Sequence, residues 1–337
     1  MTSVPAFSSL LSEVLSPPPR VAVLDTSVLT SDIIAATHRD APSSLVAGMR
    51  GGTYRGFIAH HVWAEVPRVL ENRALGGEQF HLGRAHELWW GTYLPLLRTV
   101  CTTGLPMTAE ADRLALEDPT DVPTLQLHGV IAPAVLLASD RDLRRSGLMP
   151  EPWPKVRRSV RDVGIPEGKA REVTNFGGSL VQGTFWALGQ AFRVARANVP
   201  AAAIVTLLGG AGLLMYRRTH PRQPGRFMAG AARMGEHLAT LAMPRLVQHG
   251  QGSAIWTAAE TGTPGTTLLH DVAGLLARSE RPLTRTAILR RLHHVPGWTH
   301  ADRMYALYEV LRSYPAFVAV DAHRWQLGGD ASALYRA

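Results

Sequence analysis

An α/β fold built on a parallel sheet is what the amino-terminal half of this sequence predicts, and three observations carry the prediction. Val21-Ala22-Val23-Leu24 and Ala134-Val135-Leu136-Leu137 are unbroken apolar runs, as expected of strands covered on both faces. Stretches of helical period lie between the short runs of strand character. Both runs also open onto carboxylates, Asp25 after the first and Asp140 with Asp142 after the second. Open α/β sheets bind their ligands at the carboxyl ends of their strands. The rest of the chain reads as a helical, partly apolar middle and a short carboxy-terminal module.

The elements follow in order. The start lacks the basic region and long apolar run of a secretory signal, and Pro17, Pro18 and Pro19 stop any helix before the first strand. Leu29 to Thr37 is expected as helix. A Gly-rich loop through Gly51 and Gly52 leads to a second strand, Gly56 to His60. The next helix carries Val62, Val66, Val69 and Leu70 on one face, and Pro67 implies that it begins late or kinks. Glu65 lies in its first turns, where a solvated carboxylate is ordinary. His81 to Leu97 reads as one helix, with Trp89 and Trp90 as core side chains. A third strand covers Arg98 to Cys101, and Ala109 to Leu116 is helical. Asp118-Pro119-Thr120-Asp121 is a turn and helix start, so Asp121 taken alone is an N-cap. The fourth strand, Ala134 to Ala138, ends at Ser139-Asp140-Arg141-Asp142.

Charge narrows the chemistry. The chain of 337 residues carries a formal +8, almost all of its basic residues being Arg, with Lys only at Lys155 and Lys169. Such a balance suits an anionic partner, nucleic acid or an acidic membrane face, and it also occurs as arginine-rich composition without a partner. The single cysteine, Cys101, excludes an intramolecular disulfide and a cysteine-based zinc cluster and fits a reducing, cytoplasmic setting. Asp25, Glu65, Asp121 and Asp140, with Asp142 as a spare, fall at strand ends or the helix starts facing them. Carboxylates converging there would repel one another unless a cation joined them, and hard oxygen ligands suit Mg²⁺ or Mn²⁺. With a basic chain, that points to phosphodiester hydrolysis.

The ordered segments VAVLDTSVL, FIAHHVWAEVPRVL, DPTDVPTLQLHG and AVLLASDRDL resemble PIN-domain ribonucleases, including the VapC-type toxins of bacterial toxin–antitoxin modules. The resemblance covers roughly residues 18–150. It implies a three-layer α/β/α domain with a parallel sheet, Mg²⁺ or Mn²⁺, and cleavage of single-stranded RNA. It also implies Asp25, Glu65, Asp121 and Asp140 as the four family acids, with Thr26 and Ser139 where small hydroxyl residues flank the family site; beside them Asp142 is expected as an additional ligand, and Thr26, Ser139 and Arg141 as substrate-binding residues. The partners that come with it are an RNA substrate, an antitoxin or other protein, and a second copy of the chain. Two departures stand out: Ala138-Ser139-Asp140 replaces the usual Thr-x-Asp, and Pro67 follows closely on Glu65.

Residues 151–173 are Pro-rich and basic and read as a linker. Residues 174–250 form a helical segment in which 199–216 is uncharged and just long enough to span a membrane, the alternative being a buried helix. Insertion of that stretch would attach a cytoplasmic protein to the cytoplasmic face of a membrane. Residues 266–329 resemble a winged helix: three helices, the second capped by Thr284, then a hairpin from Phe317 to Leu327. If that module binds DNA or RNA, Thr299, His300 and Arg303 open its recognition helix and His323 and Arg324 tip its wing; the alternative is a protein-docking module. The function expected of the whole is a metal-dependent endoribonuclease. The rivals are a non-catalytic PIN scaffold or a winged-helix nucleic-acid-binding regulator.

Overall fold

Val21–Leu24 forms a fully buried central strand, β1, which has β2 (Arg55–Ala59) on one side and β4 (Ala134–Leu137) on the other, both parallel to it. β3 (Leu97–Val100) pairs parallel beyond β2. These are residues of a computed structural model, which describes residues 19–39, 41–180, 244–292, 295 and 299–329. From β1 the chain adds β2 and β3 outward in one direction, then crosses back to place β4 on the other side. That reversal creates a crevice between the carboxyl ends of β1 and β4. A fifth strand, β5 (Glu260–Thr261), closes the sheet by pairing antiparallel with β4, giving the order β3-β2-β1-β4-β5.

The helices depart from expectation where prolines and caps decide. α1 (Thr26–Thr37) starts three residues before Leu29 because Asp25 caps it, accepting a hydrogen bond from Ser27 N. α2 (Ser44–Arg50) precedes β2. α3 (Val62–Leu75) runs straight through Pro67 in sequence. The proline forfeits one backbone bond near the helix start, and the buried stripe Val62, Val66 and Leu70 holds the turn against the sheet. The single helix expected to reach Leu97 ends instead at Leu88, as α4 (Leu82–Leu88). A π turn over Trp89–Tyr93 and a 3-10 turn over Leu94–Leu96 follow, and Pro95 there has no N–H with which to extend a helix. Trp89 is buried as expected, whereas Trp90 is 47% exposed. α5 (Ala109–Leu114), α6 (Val122–Ile131) and α7 (Arg141–Arg145) complete this half, with α6 packed on β1, β2 and β4.

The segment read as a linker is helical from Trp153, as α8 (Trp153–Leu180). Its arginines hide an apolar stripe, Val156, Val160 and Val163, all buried at helical spacing. Arg157 pairs with the buried Asp32 at 3.2 Å, and Asp32 also accepts from Tyr93 Oη at 2.8 Å. Residues 244–259 form α9. The expected span 199–216, and most of the helical segment expected over 174–250, lie outside the described residues. Among the described residues, no helix is long and apolar enough to cross a membrane.

The chain divides into two compact units: one comprises Pro19–Val160 and resumes at Ile255–Ala337, and the other includes Arg161–Ala254. In the first unit, α10 (Leu268–Arg278) packs on α6, and Arg278 bonds to the carbonyls of Ile131 and Pro133. β6 (Leu283–Thr284), α11 (Arg285–Arg291), α12 (His300–Ser313), β7 (Phe317–Ala319) and β8 (Arg324–Leu327) follow, with strand order β6-β8-β7. Thr284 caps α11, as expected, and Thr299 closes a capping box with Asp302.

The carboxy-terminal residues also reach the far edge of the sheet, where Thr99 and Gly329 exchange backbone bonds of 3.0 and 2.9 Å. Gly328 makes this possible, with φ at +65° and the position of a Cβ only 2.7 Å from the Thr99 carbonyl oxygen. Gly328→Ala is therefore expected to cost about 1–3 kcal/mol and lower Tm by several degrees in a thermal melt. An unchanged Tm would show that this junction does not form.

A candidate carboxylate site at the sheet crevice

The ends of β1 and β4 are stitched together before any acid is considered. Asp25 N donates to Leu137 O at 2.9 Å. Ser27 Oγ donates to Asp25 Oδ2 at 2.5 Å and accepts from Ser139 N at 2.9 Å, linking the two strand ends through one hydroxyl. Asp25 is only 3% exposed and also accepts from Ser27 N at 2.9 Å. Thr26 Oγ1 donates to Glu65 Oε2 at 2.6 Å, bringing the first turn of α3 against the first turn of α1. Glu65 has His61 Nε2 at 3.8 Å and Arg68 Nη2 at 3.7 Å.

Asp121 precedes α6 with helical backbone angles, and its side chain makes no capping bond. Burial pushes its carboxyl up from 3.8 to about 8, and Asp25, Asp118, Asp140 and Glu65 all push in the same direction. Burial likewise raises Asp25, with Glu65 adding to it and the Ser27 bonds opposing. Asp25, Glu65, Asp121 and Asp140 thus share one electrostatic field, although they come from four separate parts of the chain. Burial lowers the His61 imidazole below its ordinary 6.5, with His60 adding to the effect and Glu65 opposing it.

The remaining expected residues are placed as follows. Asp140 caps α7 through Asp142 N at 2.6 Å and Leu143 N at 3.4 Å. Asp142 turns to Arg145 at 3.2 Å. Arg141 is exposed, and Arg144, not Arg141, bonds to the Ser139 carbonyl through Nε and Nη2. Asp118, which reads in the sequence as a turn residue, joins the acids while holding Thr120 N at 2.9 Å. Its position three residues before Asp121 is the only signal that could have found it. Thr299, His300, Arg303 and Arg324 are exposed on α12 and the hairpin. The Thr299 hydroxyl is engaged in its cap at 3.1 Å, and Arg324 is held by Asp321 at 2.5 Å.

The donor set is all carboxylate, carries several negative charges in one field and, at Asp121, leaves a side chain without a capping bond. Those are the properties that suit a hard divalent ion. Among the described residues, no three His, Cys, Asp or Glu side chains are grouped closely enough to hold an ion directly. The two observations are compatible. Mg²⁺ keeps several of its waters and takes only one or two carboxylates directly, so acids can share a field without sharing a coordination sphere.

The raised Asp121 carboxyl has a measurable consequence in metal-free protein. Between about pH 4 and pH 8 the folded chain holds a proton that the unfolded chain has lost, so stability falls as pH rises through that window. Asp121→Asn should flatten this fall and raise Tm near pH 8 by a few degrees, about 1–2 kcal/mol once solvent screening of a half-exposed carboxylate is allowed for. His61 works in the opposite direction below its ordinary value of 6.5, so the quantity to measure is the difference between variant and wild type. Parallel Tm–pH curves for the two proteins would mean that the Asp121 carboxyl is not raised.

Comparison of the chain with protein-family models, curated proteins and solved structures found no match.

Proposed function

We propose that this protein is a metal-dependent endoribonuclease of the PIN type, hydrolysing phosphodiester bonds of single-stranded RNA at the carboxylate cluster. The observation that carries the proposal is the meeting of Asp25, Glu65, Asp121 and Asp140 in one field, at the crevice where the strand order reverses. These four acids would hold Mg²⁺ or Mn²⁺. When bound, such an ion would offset charge developing on a phosphate and lower the pKa of water, making hydroxide available as the nucleophile.

The chain's own contribution is preorganisation. Thr26 fixes Glu65, and Ser27 fixes Asp25 and the Ser139 loop, so these two acids are ordered before substrate arrives. Burial and the neighbouring acids raise the Asp121 carboxyl to about 8, and a bound cation would favour its ionised form. Arg68 and Arg141, both exposed near the acids in sequence, supply cations for the phosphate backbone of the substrate. In the carboxy-terminal module, three helices followed by a hairpin, with strand order β6-β8-β7, support a winged-helix reading in which α12 meets nucleic acid.

A second reading, a scaffold that binds nucleic acid without cutting it, is favoured by the spacing of the acids and by the pairing of Glu65 with Arg68 at 3.7 Å. One experiment separates the two. Purified protein is incubated with labelled single-stranded RNA and Mn²⁺, with and without chelator. Cleavage that chelator stops supports the nuclease. RNA bound but left intact under every metal condition supports the scaffold.

A further inference from the structure

At the opposite end of the strands from the carboxylates, the sheet and the carboxy-terminal module enclose a cavity of about 220 Å³. Its polar lining is basic. Arg55 opens β2, and Arg98 lies on β3, where the register Phe57↔Arg98 puts the two arginines on one face of the sheet, a diagonal apart. Arg281 enters from the loop after α10, accompanied by Glu280. Three guanidinium groups against one carboxylate leave the cavity with a charge of +2. Among the described residues, the Arg55 guanidinium has no hydrogen-bond partner, and burial weakens its hold on its proton, with Arg98 adding to the effect and Glu280 opposing it. Half-burying like charges on neighbouring strands is costly unless an acceptor joins them.

We propose that this cavity binds the phosphate group of a phosphomonoester. A carboxylate or a phosphodiester brings one negative charge and two terminal oxygens. A phosphomonoester brings close to two charges and three oxygens, matching the net charge of the lining and offering acceptors to the forks of Arg55 and Arg281. The cavity is smaller than the roughly 300–1,000 Å³ that encloses a drug-sized ligand, so the phosphate enters and the remainder of the ligand projects outward. Two sources fit this chemistry: a small phosphorylated molecule or inorganic phosphate, and the terminal phosphate of an RNA. The site shares no residue with the carboxylate cluster and does not depend on the nuclease proposal.

The test is calorimetric titration of the full chain with inorganic phosphate, at constant ionic strength in chloride and with chelator present so that metal plays no part. Saturable binding with one phosphate per chain is expected. Arg281→Gln, which changes an exposed loop residue, and Arg55→Gln should each weaken it about tenfold or more. Arg55→Lys, which keeps the charge and loses the fork, should fall between Arg55→Gln and wild type. Adenosine 5′-monophosphate and one short RNA, with and without a 5′-phosphate, then identify the source. Tightest binding by the phosphorylated RNA points to an RNA end, and equal binding by phosphate or the mononucleotide points to a small ligand. No saturation, wild-type affinity in Arg281→Gln, or equal affinity for the phosphorylated and 5′-hydroxyl RNAs together with no binding of phosphate would overturn the proposal.

Discussion

Asp25→Asn is expected to reduce metal-dependent cleavage of single-stranded RNA by more than about a hundredfold while leaving the fold intact. Mutating even the outer partners of metal ligands typically costs 10–100-fold, and Asp25 is a proposed ligand itself, buried at the crevice. The substitution separates chemistry from structure. Asparagine keeps the size of the side chain and an oxygen that can accept from Ser27 N, so the cap on α1 survives. What disappears is a buried negative charge that burial and Glu65 both disfavour. Metal-free Tm should therefore hold or rise as activity falls. A gel assay of RNA cleavage and a thermal melt on the same preparation make the check. Wild-type cleavage by the variant would remove Asp25 from the site and the carboxylate proposal with it.

A chain ended at residue 150, where the resemblance to PIN-domain proteins stops, is expected not to fold. Such a fragment lacks Val156 and Val160, which are buried against the first half. It also lacks Trp256, which is 2% exposed and lies 5.4 Å from the ring of Tyr54, along with Leu269, Val272 and Leu276 of α10. Burying each such side chain contributes roughly 1.5–3 kcal/mol, so the loss is on the order of 10 kcal/mol, comparable with the whole stability of an ordinary domain. The fragment would also leave the carbonyls of Ile131 and Pro133 without Arg278 and the edge of β4 without β5. Near-ultraviolet circular dichroism and a denaturant titration are the measurements. A cooperative transition in the fragment would show that the later residues are dispensable.

The contrast between what was and was not legible follows from these elements. β1 and β4 announce themselves as apolar runs, and the carboxy-terminal helices and hairpin follow from local periodicity, the Thr284 cap and the turn at Asp321. β5 does not, because Glu260 and Thr261 are two polar residues whose strand character comes only from a distant partner, β4. α8 is hidden by charge: six basic residues in 151–173 mask a narrow valine stripe, which is all a helix needs when one face is covered. The site shows the same division. Strand ends and motif order point to Asp25, Glu65, Asp121 and Asp140. The direction of each side chain depends on neighbours no motif specifies, so Asp142 turning to Arg145, Asp118 joining the field and Ser27 bridging two strand ends emerge only in three dimensions.

The interrupted path of the sheet also sets a timetable for synthesis. β4 leaves the ribosome well before β5 and α10 exist, and at about 5–20 residues per second the gap is on the order of ten seconds. Throughout that interval the nascent sheet carries an open apolar edge at β4, the kind of surface that chaperones bind and that pairs wrongly with other chains. The edge of β4 is therefore covered only after Glu260 and Thr261 have emerged.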